Sequence, residues 1–239
     1  MDKIIHKSNS RGHSNYHWLD SRHSFSFAGY HDNNRVHFGA LRVLNDDIIE
    51  GGGGFDTHPH DNMEIITIPV YGGLKHKDSM GHEQIIAENE IQVMSAGTGI
   101  FHSEFNASET EKANFLQLWI YPNKKNIKPV YNQKYFKASE ALNKWQFLVS
   151  SLDFPLEDTL TIQQDATISR LILNAEKEID YRVQPNSLGV YLFIISGEIE
   201  IDGESYVNRD AIGIKNITDL IIKAKKDSLV LNIEIPNIY

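Results

Sequence analysis

The 239-residue chain contains no cysteine. Disulfides, zinc–thiolate sites, iron–sulfur clusters and thiol catalysis are therefore excluded. Basic residues are in the minority, with 23 Lys and Arg against 32 Asp and Glu and a formal charge of −9. That balance argues against direct nucleic-acid binding, which needs cations to meet phosphates. The one notable basic cluster, "NKKNIK" at 123–128, reads as a solvated loop. No apolar run approaches the length of a membrane span. The opening "MDKIIHKSNSRGHSNYHW" lacks the apolar stretch of a signal peptide, so the chain is expected to be cytoplasmic. Histidine, too, is absent from most of the chain. All 11 histidines lie within the first 102 residues, so any imidazole chemistry belongs to the N-terminal half.

What is present is β-structure. Hydrophobic residues make up 41% of the chain, enough for a core and too many for disorder. Short β-branched or aromatic runs alternate with Gly, Asn and Asp turns, from "HFGALRVL" and "MEIITIPVY" to "SRLILNA" and "SLVLNIEI". Such spacing predicts an all-β sandwich or barrel. The helical signal is weak: "KASEALNKW" allows two turns, with Ser139 as N-cap. A faint internal echo links "MEIITIPVYGGLKHKD" to "GVYLFIISGEIEIDGE", each read as strand, glycine-containing hairpin turn, strand. The expected organisation is two antiparallel β-barrels in tandem, residues 1–125 and 126–239. A polar, Pro-containing linker would run through about 122–145.

One stretch concentrates polar chemistry: "GGGGFDTHPHDNMEIITIPVYGG", residues 51–73. Alternate residues of a strand share a face, so His58 and His60 point the same way. Pro59 between them places the segment at a sheet edge or strand entrance. Glu64 keeps the same parity if the strand is regular. Further on, "MSAGTGIFHSEFN" offers His102 and Glu104, again two apart. The two pairs are either solvated loop residues or the wall of a metal site with three imidazole nitrogens and one carboxylate. A set of that composition suits Fe, Mn, Ni, Cu or Zn better than Mg or Ca.

The pattern H-x-H-x3-E-x7-G, followed by Gly99, His102 and Asn106, resembles the two motifs of the cupin superfamily. "RGHSNYHWLDSRHSFSF", "FGALRVLNDD", "GGGFDTHPHDNMEI", "HKDSMG", "QVMSAGTGIFHSE" and "FLQLWIYP" more specifically resemble the pirin family, over residues 11–122. They are closest to its bacterial, quercetinase-type members. The resemblance implies a bicupin with one metal in the N-terminal barrel and none in the C-terminal one. It implies His58, His60, His102 and Glu104 as ligands, with Glu64 left out although other cupins use that position. Fe(II) is the implied metal, with Zn, Ni, Mn or Cu as substitutes. The implied activity is quercetin 2,3-dioxygenase, with a polyphenol and O2 as substrates and carbon monoxide released. Glu104 is then the expected catalytic base. The chain is expected to act as a monomer. The alternative from the same resemblance is an iron- or redox-sensing regulator working through a protein partner.

Several other residues carry expectations. Pro69 should leave its strand paired on one side or bulged. Asn89 should supply a positive-φ turn before the second motif. His76 reads as a hydrogen-bonded structural histidine and His82 as a solvated turn residue. His13, His17 and His23 read as packing of an N-terminal arm near the cavity mouth. Phe55, Met94 and Phe101 are candidates for an apolar cavity wall.

Overall fold

The alternation of apolar runs and turns resolves into twenty strands in the structure, a computed structural model describing residues 2–238. The first twelve are β1 (Asp2–His6), β2 (Gly12–Asn15), β3 (Leu19–His23), β4 (Leu41–Ile49), β5 (Gly54–His60), β6 (Glu64–Tyr71), β7 (Gly73–Asp78), β8 (Glu83–Ala87), β9 (Glu90–Ser95), β10 (Ile100–Asn106), β11 (Ala113–Ile120) and β12 (Val130–Tyr135). The rest are β13 (Gln146–Ser151), β14 (Leu160–Ile162), β15 (Thr167–Leu173), β16 (Glu178–Arg182), β17 (Gly189–Ile201), β18 (Glu204–Val207), β19 (Ala211–Lys215) and β20 (Asp219–Ile235). In the first half a four-stranded sheet, β5-β10-β7-β8, accompanies a seven-stranded sheet, β12-β9-β6-β11-β4-β3-β2. The second half is a nine-stranded sheet with β17 and β20 at its centre.

Strand pairing crosses residue 125 twice among the described residues. β1 pairs with β19 in the C-terminal sheet, and β12 pairs with β9 in the N-terminal one. The expected linker at 122–145 is therefore corrected, because Val130–Tyr135 is an edge strand. Its half-exposed position explains the weak periodicity of the sequence there.

Strand parity decides what the seven-stranded sheet does. Leu44, Leu116, Leu118, Ile66, Ile68, Ile91 and Val93 join a core that also holds Leu148, Tyr191, Phe193 and Ile233 from the second half. Each such side chain contributes about 1.5–3 kcal/mol by leaving water. The largest core thus fastens the two halves together. The intervening residues Asn45, Asp47, Thr67, Gln92 and Gln117 are polar and buried. The other face of the sheet therefore mixes polar groups with apolar ones such as Ile65, Phe115 and Trp119, and Asn45, Asp47, Gln117 and Trp119 on it line the interior cavity of the N-terminal barrel.

Local expectations fare unevenly. Asn89 does take φ 67°. At Pro69 the register with β11 slips, and pairing of β6 with β9 ends at Thr67, so both anticipated effects occur. Pro59 lies on β5, an edge strand of its sheet. The helix over 137–145 is corrected to one 3-10 turn, Ala138–Ala141, capped by Lys137 rather than Ser139 and without a side-chain hydrogen bond. The two glycine hairpins are also corrected. Gly72 (φ 77°) passes the chain from β6 to β7 in a different sheet, and Gly197 (φ 93°) bends β17 without reversing it. Positive φ without a side chain suits a barrel corner as well as a hairpin, and sequence alone does not distinguish them.

Candidate metal centre

The neighbouring strands β5, β10 and β7 build the centre. His102 on β10 lies directly opposite His58 on β5. The register then slips, because two residues of β5, Asp56 and Thr57, oppose Ser103 alone. The bulge puts the Asp56 carbonyl 2.8 Å from His58 Nδ1, which donates to it. That bond fixes the tautomer and leaves His58 Nε2 with its lone pair for a ligand. The ring centroids of His58, His60 and His102 lie 4.4–4.9 Å apart. Each offers a nitrogen within 4.8 Å of the others'. His60 Nε2 and both nitrogens of His102 are buried with no hydrogen-bond partner. Orphaned buried nitrogens are costly unless something else satisfies them, and this set could hold a divalent transition metal.

Burial, with the neighbouring imidazoles adding, lowers both His60 and His102 to about 3. They are therefore neutral, the form that binds metal. A linkage follows. Between about pH 6.5 and 3 the unfolded chain takes up protons on these residues that the folded chain refuses. Stability of the metal-free protein should thus fall as pH falls through that window, by up to about 1.4 kcal/mol per pH unit for each imidazole. Denaturant midpoints for wild type and His60→Gln, compared from pH 6 to pH 4, test this. The variant should show the shallower slope, and equal slopes would mean that folded His60 accepts a proton normally.

Glu104 is buried and held by the opposite sheet. Gln117 Nε2 donates to both of its oxygens, at 3.1 and 2.9 Å, and Thr67 Oγ1 donates to Oε1 at 3.4 Å. Its carboxylate groups with His102 and His76, each offering an atom within 4.8 Å, rather than with all three other histidines. His76, directly opposite Glu104 on β7, is completely buried. Its Nε2 lies 3.2 Å from Asp78 Oδ2, and its Nδ1 has no partner. His82, read as a solvated turn residue, instead donates from Nδ1 to Asp78 Oδ2 at 2.9 Å and stacks on Tyr131. Burial pushes the Asp78 carboxyl up, but hydrogen bonds from His76 and His82 outweigh it and leave it below its ordinary value.

Glu64 lies elsewhere. Buried Oε2 accepts from Ser95 Oγ at 2.6 Å and from the Gln163 N–H at 3.1 Å. Both bonds satisfy the carboxylate away from the imidazoles. The wall residues separate as well. Phe55 lines the cavity, Met94 packs in a small core with Ile65 and Ile100, and Phe101 is 56% exposed. His23 lines the cavity, whereas His13 sits half exposed 3.2 Å from Asp20. Sequence reading missed Asp78, Gln117 and Asp47. Asp78 had a signal, since His76 and Asp78 are a third pair two residues apart; Gln117 and Asp47 had none.

The cavity measures about 410 Å³, and His58, Glu104, Trp119, Asn45 and Asp47 are among the residues that line it. Trp18 packs edge-on against Phe55, and Phe27 against Trp119, giving it flat aromatic sides. A volume of this size accommodates a multi-ring organic molecule.

Comparison with known proteins gives the family and the fold. The family profile described as Pirin matches residues 5–120, and that of the quercetinase C-terminal cupin domain matches residues 148–235. A quercetin 2,3-dioxygenase of Escherichia coli strain K12 is 40% identical over 232 residues, 97% of this chain and 98% of that one. A crystal structure of the bacterial pirin YhhW from Escherichia coli in complex with nickel(II) superposes with TM-score 0.93 at 38% identity, covering 99% of this chain and 100% of that one. A quercetin 2,3-dioxygenase from Acinetobacter baumannii has the same fold, with TM-score 0.73 at 17% identity over 95% of this chain and 85% of that one.

Proposed function

The chain belongs to the pirin family, and from that premise we propose that it is a metal-dependent dioxygenase cleaving quercetin or a related flavonol with O2 and releasing carbon monoxide. The observation that carries this reading is the pair of orphaned, buried imidazoles His60 and His102 grouped with His58, which together with Glu104 lines an aromatic-sided cavity. His58, His60, His102 and Glu104 would hold the metal, which we take to be Fe(II). The same donors accept nickel, zinc, manganese or copper, and a relative was crystallised with nickel(II). Residues 126–239 contribute no ligand in this reading. The protein works as a cytoplasmic monomer, without nucleic acid or membrane.

Bound there, the metal supplies a Lewis acid and a template for the flavonol's hydroxyl group. The chain's own residues do the rest. Glu104 takes the proton from that hydroxyl, since a buried carboxylate next to the ligand is the nearest acceptor. Gln117 holds both Glu104 oxygens, so the base is presented in one orientation. The rings of Phe55, Trp18 and Trp119 flank the flat ligand and exclude water. Oxygen uptake by the iron-loaded protein, followed together with loss of flavonol absorbance, tests the proposal. Tight iron retention without turnover of any flavonol would favour the sensing role.

The choice of carboxylate has its own test. Glu64→Gln should keep most of the metal, because its partners Ser95 and Gln163 lie outside the cluster. Atomic absorption on purified protein reads this directly. An emptied site in Glu64→Gln with a full one in Glu104→Gln would reverse the assignment.

A further inference from the structure

The cavity also carries a polar patch from β2, β3 and β4, with Asn45 lying opposite Gln117, the residue that holds Glu104. Its hydrogen bonds run in one direction. Ser14 Oγ lies 3.0 Å from His23 Nε2 and donates to it. His23 Nδ1–H then points to Asn45 Oδ1 at 2.9 Å, with Ser21 Oγ at 3.3 Å. Ser21 Oγ donates to Asp47 Oδ1. Burial lowers the His23 imidazole below its ordinary range, which keeps it neutral and consistent with this pattern.

The chain of bonds consumes every polar atom of Ser21 and His23 that faces it. It leaves two groups unused. The Asn45 Nδ2 amide and the Asp47 Oδ2 oxygen have no hydrogen-bond partner among the described residues, and both residues line the cavity. They stand two apart on β4 and therefore share a face. One is a donor and the other an acceptor. Neither atom is one of the sealed, unpartnered atoms of the interior, so both open onto the cavity, where a ligand can replace the water that would otherwise complete them. No catalytic step proposed above uses either group.

We propose that Asn45 and Asp47 form a recognition subsite for two adjacent hydroxyls on an aromatic ring of the ligand. One hydroxyl donates to Asp47 Oδ2, and its neighbour accepts from the Asn45 amide. Ser14, Ser21 and His23 position the pair, since each bond fixes the next side chain along. The subsite rests on the flavonol reading and adds a selectivity to it, for ligands carrying a catechol over those with a bare ring. Burial, opposed by the Ser21 bond and reinforced by Asp46 and Glu104, pushes the Asp47 carboxyl up to about 7. Near neutrality it therefore either accepts from or donates to a hydroxyl.

The test is anaerobic binding to the metal-loaded protein, read by tryptophan quenching. Flavonols with two, one and no hydroxyls on the pendant ring are compared. Wild type should bind the catechol form about tenfold more tightly than the bare-ring form, as expected for two net hydrogen bonds. In Asp47→Leu that ratio should collapse toward one, with bare-ring affinity changed by less than about twofold. Asp47→Asn, which keeps the shape and the Ser21 bond but presents an amide, should also lose the preference and guards against misfolding of the leucine variant. An unchanged ratio in both variants, or equal losses for all three ligands, overturns the subsite. Binding of none of them to wild type overturns it together with the flavonol reading. Binding with the predicted ratio but no turnover in oxygen supports the subsite and removes only the dioxygenase reading.

Discussion

Glu104→Gln should lower turnover per bound metal by at least about 10²-fold, the lower end of what general base catalysis contributes. The substitution keeps the length of the side chain and removes its charge and its capacity to hold a proton. Gln117 Nε2 now donates to both oxygens, and a glutamine at 104 would present one amide to another. Part of the metal should therefore be lost as well, so activity must be divided by measured metal content. Flavonol binding, followed separately by its absorbance shift, should persist because the aromatic sides of the cavity are untouched. Unchanged turnover per metal would leave Glu104 as at most a ligand, with the base elsewhere.

His102→Ala should abolish stoichiometric metal binding, and His58→Ala should do the same. Both residues lie in the group of three whose nitrogens approach within 4.8 Å, so removing either leaves two imidazoles of that group. The loss has a readout in stability. A metal at a hundred times its dissociation constant stabilises the native state by about 2.7 kcal/mol. Adding metal should therefore raise the melting temperature of wild type and leave that of His102→Ala where it is. A metal-dependent shift of wild-type size in the alanine variant would remove His102 from the ligand set. His102 belongs to both three-residue groups, so metal would then have to be held by the remaining donors His58, His60, His76 and Glu104 without it.

Much of this centre was legible from spacing because strands convert it into geometry. The pairs at 58 and 60 and at 102 and 104 each predict a shared face, and His58 does face His102 across β5 and β10. Pro59 and Pro69 announced an edge and a bulge, because a missing N–H has the same consequence in any sheet. Gln117 and Asp47 were not legible. Gln117 holds Glu104 and Asp47 lines the cavity, both from the other sheet, and only long-range pairing of β11 and β4 brings them there. The strand Val130–Tyr135 was hidden for a related reason. An edge strand with half-exposed residues has no strong alternation to announce it. The glycines at 72 and 197 announced a break in the strand, but not whether the chain would turn back or move on to another sheet.

The central claim is that this cluster of imidazoles and its carboxylate supports oxygen-dependent ring cleavage. The most direct measurement is a single turnover. Iron-loaded protein is mixed with quercetin under anaerobic conditions, oxygen is admitted, and carbon monoxide is quantified against quercetin consumed. One carbon monoxide per quercetin, absent without oxygen and absent in His102→Ala, is the predicted result. Quercetin that survives oxygen, or disappears without carbon monoxide, contradicts it.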